Sequence, residues 1–159
     1  MTAGLLASAI MMEMDANTLP VSPPSSPAHP GGVKPPSSGT LVLHRGADGQ
    51  LHLEPREASD HGVLGLRPVE HLAVALGGCL SEFAGRFLER RKLPPTLRIE
   101  MHWGVSVQQC CIDALRVRLH VDAQLDEMGR QTLYRMLDQC PVHKALHGNV
   151  EVTLEVVEK

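Results

Sequence analysis

Two cysteines in this chain have neighbours that favour thiol chemistry. Cys79 directly follows two glycines in the segment "ALGGCLSEF", and Cys140 opens the segment "CPVHKAL". If Pro141 is the first residue of a helix, Cys140 is its N-cap, and the sulfur faces unpaired backbone N–H groups that favour the thiolate. His143 adds a positive partner in the same turn. Because the thiolate is the nucleophilic form of cysteine, these residues predict a reactive thiol.

Two other interpretations fit the same residues. A free cysteine on an apolar helix face is often only a small buried hydrophobe, and Cys140 could be an inert cap. Alternatively, Cys140, His143 and His147 have C-x2-H-x3-H spacing and could bind zinc with Cys79 as a fourth ligand. No C-x-x-C pair accompanies them, so we expect no metal site.

A long helix must carry Cys79. Pro68 suits a first helical position, and apolar residues then recur at i, i+4, i+7 spacing until Pro94 and Pro95 stop the helix. Gly77 and Gly78 each destabilise a helix interior by about 1 kcal/mol relative to Ala. We therefore expect another element to pack closely against the helix at this pair.

The remaining segments predict an α+β protein. A turn at Asp48-Gly49 joins two strands into a hairpin, and Asp126 caps a second helix that runs to about Asp138. Three further strands are predicted at residues 97–107, 110–123 and 149–157, and a short helix at "CPVHKAL". The order β-β-α-β-β-α-α-β is typical of an α+β fold with an antiparallel sheet.

Two pairs of residues in the middle strands have predicted orientations. Cys110 and Cys111 are expected to lie in a strand, one inward and one outward, with no chemical role. In the preceding strand, His102 is predicted at the surface and Trp103 in the core.

Composition restricts the class of protein. The chain has 159 residues, 43% of them hydrophobic and only 3% aromatic, which predicts one domain with an aliphatic core. Its net charge is −3 with no basic face, so we expect no nucleic-acid partner. No apolar run reaches the roughly 18 residues of a membrane span. Four cysteines are too few for a disulfide scaffold, and we expect a reducing, cytoplasmic setting.

The N-terminal part differs in composition from the rest. Residues 19–39 are rich in Pro, Ser and Gly and lack the apolar side chains that would offset ordering entropy. The apolar start of the chain lacks the basic region of a signal peptide. We predict a disordered tail over residues 1–39 and a folded domain over residues 40–159.

In combination, the two cysteine segments resemble a family. "PVEHLAVALGGC" followed about 60 residues later by "CPVHKAL" resembles the OsmC/Ohr superfamily of thiol peroxidases, and the general OsmC-like subgroup more than Ohr proper. The resemblance covers about residues 40–159. It implies antiparallel sheets wrapped around two long central helices in an intertwined homodimer, which would also supply a close partner for the two glycines.

The resemblance also implies a reaction. Cys79 would be the peroxidatic cysteine that attacks a hydroperoxide and becomes a sulfenic acid, and Cys140 would be the resolving cysteine that forms a disulfide with it. An external dithiol, a lipoyl group in the Ohr branch, would then restore both thiols, so no bound cofactor is expected. Organic hydroperoxides are the predicted substrates. The alternative is a dimer that binds an apolar ligand without turnover.

Further site residues follow from the resemblance. The family uses an arginine and a glutamate to lower the pKa of the peroxidatic thiol, and Arg45 and Glu70 are the candidates here. Glu70 has the spacing of the OsmC-like subgroup, since the Ohr branch places the glutamate where this chain has Val69. Arg67 and Arg56 are the alternative arginines. The predicted substrate contacts are His143, Leu76 and Phe83.

Overall fold

The computed structural model describes residues 37–55 and 65–159. They form five strands and three helices in the predicted order: β1 (Ser38–Arg45), β2 (Leu51–Leu53), α1 (Pro68–Arg90), β3 (Leu97–Ser106), β4 (Cys111–Val121), α2 (Glu127–Leu137), α3 (Pro141–Leu146) and β5 (Glu151–Glu158). The predicted tail lies almost wholly outside the described residues. β1 begins at Ser38, two residues before the predicted start of the domain.

The strands form a single sheet with the order β2-β1-β3-β4-β5. β1 to β4 pair antiparallel, as predicted, whereas β5 pairs parallel with β4. This departure from the predicted antiparallel pattern has a simple cause. Helices α2 and α3 lie between β4 and β5 and form the crossover connection that parallel neighbours require.

The alternating pattern of the strands builds an aliphatic core between the sheet and α1. Trp103 is buried and His102 is exposed, as their positions in β3 predict. The inward-facing strand residues and the buried faces of α1 and α2 make one cluster. Its largest fully buried side chains are Leu41, Leu43, Leu76, Leu80, Leu88, Ile99, Met101, Leu115, Val117, Leu119, Leu133 and Leu137. This core fixes the face of α1 that meets the sheet.

Gly77 lies where α1 approaches the sheet most closely. A Cβ at this position would be 2.6 Å from Cδ1 of Leu43 in β1. At Gly78 the nearest atom to a Cβ would be Cδ2 of Leu51 in β2, at an ordinary contact distance of 3.5 Å. The predicted close approach at the glycine pair is therefore confirmed for Gly77, and within one chain the approaching element is the sheet.

The second pair of cysteines lies elsewhere than predicted. Cys110 is in the turn between β3 and β4 with a positive φ of 52°, and Cys111 is the first residue of β4. Both are free and exposed, so the prediction of one inward and one outward side chain is wrong. The reason is that the turn extends to Cys110 and takes it out of the strand pattern. No helix of the described ranges has the length and apolar character of a membrane span.

Candidate active site

Cys79 and Cys140 meet at the contact between α1 and α3. The structure joins them in a disulfide with a Cα–Cα distance of 6.1 Å, across 61 residues of sequence. Cys79 is held by α1, and Cys140 lies immediately before Pro141, where α3 begins. The packing of two helices against each other therefore brings together the two cysteines whose neighbours indicate thiol chemistry.

The two cysteines of the disulfide differ in exposure. Cys140 has 0% of its surface exposed and belongs to the hydrophobic core. Cys79 is partly exposed, because it lies at the edge of the core-facing side of α1, next to the buried Leu80. Cys79 is therefore the more accessible residue of the pair.

Cys140 is the N-cap of α3, as predicted. Its Sγ accepts a hydrogen bond from the backbone N–H of His143 at 3.3 Å. The cap position has this donor because the first N–H groups of a helix have no carbonyl partner within the helix. Once the disulfide is reduced, the same N–H is placed to donate to a thiolate, which accepts hydrogen bonds strongly.

Glu70 lies at the N-terminus of α1. It is 3% exposed, and its Oε2 accepts a hydrogen bond from the backbone N–H of Arg67 at 2.9 Å, so it caps the helix. Nine residues separate Glu70 from Cys79, which is about 13 Å along a helix axis. Its catalytic role stays a prediction, and within one chain this hydrogen bond ties it to the helix start.

Arg45 contacts α1 on the C-terminal side of Cys79, whereas Glu70 lies on the N-terminal side. Arg45 is 6% exposed; Nη1 donates to the carbonyl oxygen of Pro95 at 3.1 Å, and Nη2 donates to Oε1 of Glu89 at 3.3 Å. A Cβ on Gly85, six residues beyond Cys79, would be 2.5 Å from Cζ of Arg45. The structure thus brings Arg45 to the C-terminal half of α1 rather than to the disulfide.

The two alternative arginines do not identify the residue that activates the Cys79 thiol. Arg67 is the N-cap residue of α1, beside Glu70. Arg56 lies outside the described residues. The assignment of an arginine to Cys79 therefore also stays a prediction.

The three predicted substrate contacts lie in different environments. Phe83 is one turn beyond Cys79 on the same side of α1 and is partly exposed. His143 is partly exposed, and its backbone reaches the sulfur of Cys140. Leu76 is completely buried in the core, where it packs against other side chains. The structure therefore brings Phe83 and His143 to the border of the disulfide, whereas Leu76 has a packing position.

A partly exposed apolar stripe runs along α1 through the disulfide. Leu72, Cys79 and Phe83 are partly exposed, and Ala75 is exposed. We call these four residues the α1 stripe. The apolar periodicity of the sequence includes Leu72, Cys79 and Phe83. This periodicity does not distinguish the positions that the sheet buries from the positions that remain accessible.

The described residues around the disulfide provide few possible metal ligands. Within residues 37–55 and 65–159, no group of three or more His, Cys, Asp or Glu side chains is arranged to hold one. The sulfurs of Cys79 and Cys140 are bonded to each other, and His147 is exposed at the C-terminus of α3. The zinc alternative therefore lacks a ligand set among these residues.

Three surface cavities of the described residues lie on the sheet. Their volumes are about 630, 440 and 380 Å³, and they are lined mainly by residues of the strands and their ends. Neither Cys79 nor Cys140 is among their lining residues. None of these three cavities is therefore a pocket for a substrate of Cys79.

The family model described as OsmC-like protein matches residues 59–155, which is more than half of the chain. The chain belongs to the OsmC-like protein family. This match confirms the resemblance carried by the two cysteine segments. No match is found among curated proteins.

Solved structures agree with the OsmC-like fold. A putative osmotic stress induced and detoxification response protein from Psychrobacter arcticus 273-4 is 13% identical with a TM-score of 0.54, and the match covers 79% of this chain and 98% of that one. An OsmC like protein from Mycoplasma pneumoniae is 12% identical with a TM-score of 0.54, covering 79% and 99%. The organic hydroperoxide resistance protein OhrB of Bacillus subtilis is 19% identical with a TM-score of 0.44, covering 74% and 97%. The first two likenesses show a shared α+β fold.

Proposed function

We propose that this OsmC-like protein is a cysteine-based peroxidase that reduces organic hydroperoxides and so protects against oxidative stress. The observation that supports it best is the disulfide between a partly exposed Cys79 and a buried Cys140 in a chain of this family. A partly exposed cysteine beside a buried one suits a pair in which the first attacks and the second resolves.

The proposed reaction has two steps in the protein. The thiolate of Cys79 attacks the terminal oxygen of the hydroperoxide and the O–O bond breaks; the alkoxide leaves, takes a proton from solvent and becomes the alcohol, and Cys79 becomes a sulfenic acid. The thiolate of Cys140 then attacks the sulfur of Cys79 and the S–O bond breaks; hydroxide leaves, takes a proton from solvent and becomes water, and the disulfide forms. The backbone N–H of His143, 3.3 Å from Cys140 Sγ, holds the resolving sulfur in place.

A dithiol completes the proposed cycle. It gives two electrons and two protons to the disulfide and becomes a cyclic disulfide itself, so the protein needs no bound cofactor. A lipoyl-type dithiol and a reducing, cytoplasmic compartment are part of this proposal.

A second copy of the chain completes the proposed site. The α1 stripe presents partly exposed apolar side chains on both sides of Cys79 along the helix. Removing apolar surface of this kind from water contributes roughly 25 cal/mol per Å², from which the entropy cost of association is subtracted. A partner helix on the stripe would form an apolar pocket over Cys79 that favours organic over inorganic peroxides.

The experiment that tests the function is a thiol titration. Cys110 and Cys111 are exposed and free, so both are first replaced by Ser to leave only the proposed pair. The reduced variant should lose both remaining thiols when cumene hydroperoxide is added, release cumyl alcohol, and recover both thiols with a dithiol.

Matched variants define the outcome. Adding Cys79→Ser to the same background should abolish alcohol formation. Unchanged thiols in the parent variant would refute the peroxidase and favour the dimer that binds an apolar ligand without turnover.

A further inference from the structure

Cys110 and Cys111 form a pair of free thiols that the proposed reaction does not use. Both are exposed, and they lie where the turn after β3 enters β4. Neither belongs to the α1 stripe, which is the surface that the proposed second copy covers. We propose that this pair binds one Cu(I) ion between its two sulfurs, at a site separate from the disulfide.

The backbone of Cys110 removes the alternation that would separate the two side chains. Successive side chains of a strand point to opposite faces, and Cys111 is the first residue of β4. Cys110 has a φ of 52°, in the left-handed region that residues other than Gly, Asn and Asp rarely adopt. It therefore lies in the turn and not in the strand pattern. A rare conformation at a residue with a reactive side chain is a reason to look for a function there.

Both sulfurs have hydrogen-bond partners in the same short turn. Cys110 Sγ donates to the carbonyl oxygen of Val107, and Cys111 Sγ donates to Oε1 of Gln109, each at 3.6 Å. A thiol is a weak donor, so these bonds oppose its replacement by a metal bond only slightly. Consecutive Cα atoms are about 3.8 Å apart, so the two side chains start close enough to reach one ion.

A disulfide between these two neighbours is disfavoured. The separation of about 3.8 Å between consecutive Cα atoms is shorter than the roughly 4.4 to 6.8 Å that most disulfides span. The structure accordingly has both as free cysteines. An ion between the sulfurs allows them to stay further apart than an S–S bond does, so the pair can act as a chelate without closing that strained ring.

The ligand set selects a soft ion of low coordination number. Thiolates favour Cu(I), for which two sulfurs can complete the coordination, whereas Zn²⁺ in a structural site takes about four ligands. Across residues 37–55 and 65–159, no group of three or more His, Cys, Asp or Glu side chains is arranged to hold a metal. As Cu(I) binds, each thiol releases its proton to solvent and forms one S–Cu bond. No electron is transferred, so sulfur and copper keep their oxidation states.

Copper competition on the full chain tests the proposal. With Cys79 and Cys140 in their disulfide, Cys110 and Cys111 are the free thiols. The protein is kept without oxygen or added thiols, Cu(I) is supplied as its acetonitrile complex, and bicinchoninate competes for the ion. We expect one Cu(I) per chain, with X-ray absorption showing sulfur neighbours only. A variant with Cys79 and Cys140 replaced by Ala should bind in the same way, which makes the result independent of the disulfide.

Cys110→Ser and Cys111→Ser are the matched variants. Each leaves one thiol in the turn, so the affinity for Cu(I) should fall about a hundredfold or more, because the second sulfur no longer acts at a high effective concentration. Gln108→Ala changes an exposed residue of the same turn and should leave the affinity unchanged.

Three results would overturn the copper site. They are a failure of the parent to compete with bicinchoninate, single-thiol variants that bind as tightly as the parent, and one Cu(I) shared between the cysteines of two chains. The site shares no residue with the proposed peroxidase pair. A protein that binds copper but fails to reduce cumene hydroperoxide would therefore refute the proposed function alone.

Discussion

The guanidinium of Arg45 occupies the space that a side chain at position 85 would need. A Cβ on Gly85 would lie 2.5 Å from Cζ of Arg45, and the guanidinium also donates to Glu89 and to the carbonyl oxygen of Pro95. Arg45 therefore joins the end of β1 to the C-terminal half of α1, and Gly85 is the residue that allows this contact.

Replacing Gly85 by Ala should destabilise the protein. The new methyl group would force the buried guanidinium to move and weaken its hydrogen bonds, which we expect to lower the free energy of unfolding by about 1 to 3 kcal/mol. Urea denaturation followed by circular dichroism measures the change.

The matched control is Gly78→Ala. A Cβ there would meet only Leu51 at 3.5 Å, an ordinary contact, and Ala favours a helix by about 1 kcal/mol over Gly. We expect this variant to be at least as stable as the parent. If both variants gained stability alike, the assigned packing of Arg45 on Gly85 would be wrong.

Local signals in the sequence predicted the elements but not all of their contacts. Pro68 begins α1, Asp126 caps α2 through a 2.8 Å hydrogen bond to Gly129, and Cys140 caps α3, because caps and helix starts depend on adjacent residues. The position of Arg45 depends on how the first hairpin packs against α1, and no local pattern encodes that.

The cysteines also show that local sequence patterns do not encode tertiary packing. The order of "GGC" and "CPVH" pointed to Cys79 and Cys140 through a family resemblance, and the structure joins these two in a disulfide. The difference in exposure between them could not be predicted, because it depends on which face of α1 the sheet covers. The sequence pattern also failed at Cys110, where the turn is longer than the alternation implied.

Cys140→Ser, in the background that lacks Cys110 and Cys111, should trap the sulfenic acid. Without a resolving thiol, Cys79 treated with one equivalent of cumene hydroperoxide should remain oxidised and react with dimedone. Mass spectrometry should find one dimedone adduct on Cys79. The parent variant with Cys140 intact should give little adduct, and an unlabelled Cys140→Ser protein would count against the resolving role.

Thiol labelling should divide the four cysteines into two classes. Cys110 and Cys111 are exposed and free, whereas Cys79 and Cys140 are bonded to each other. Iodoacetamide should therefore label only Cys110 and Cys111 in the folded, oxidised protein, and all four cysteines after reduction and unfolding. Slow labelling of Cys110 would place it inside the protein and contradict the exposed turn.

Glu158 should make the stability of the fold dependent on pH. Its Oε1 accepts from Nε of Arg130 at 2.8 Å and its Oε2 accepts from the backbone N–H of Leu125 at 2.9 Å, and these two bonds lower the pKa of Glu158 below its ordinary value of 4.5. Because the folded pKa is the lower one, the stabilisation is present above pH 4.5 and is lost as the pH falls through the folded pKa.

Glu158→Gln tests this dependence. The side chain is 16% exposed, and we expect a loss of about 1 to 2 kcal/mol at pH 7 that shrinks when denaturation is measured in increasingly acidic buffers. Glu155→Gln is the control, since its ion pair with Arg118 is solvent-exposed and should contribute under about 0.5 kcal/mol. If the loss of unfolding free energy in Glu158→Gln stayed constant down to pH 3, the effect of the substitution would come from packing rather than from the charge of Glu158.

The α1 stripe predicts that the protein associates through the helix that carries Cys79. Light scattering should give a mass near twice 17.3 kDa, and Phe83→Asp should shift it towards the monomer, because a charge would replace a buried aromatic ring at the interface. Arg86→Ala, at an exposed position three residues further along α1, should leave the mass unchanged. Peroxide consumption by the Phe83→Asp monomer then decides whether the second copy is needed. If a folded monomer reduced cumene hydroperoxide at the parent rate, the site would be complete within one chain, and the partial exposure of Cys79 alone would account for substrate access.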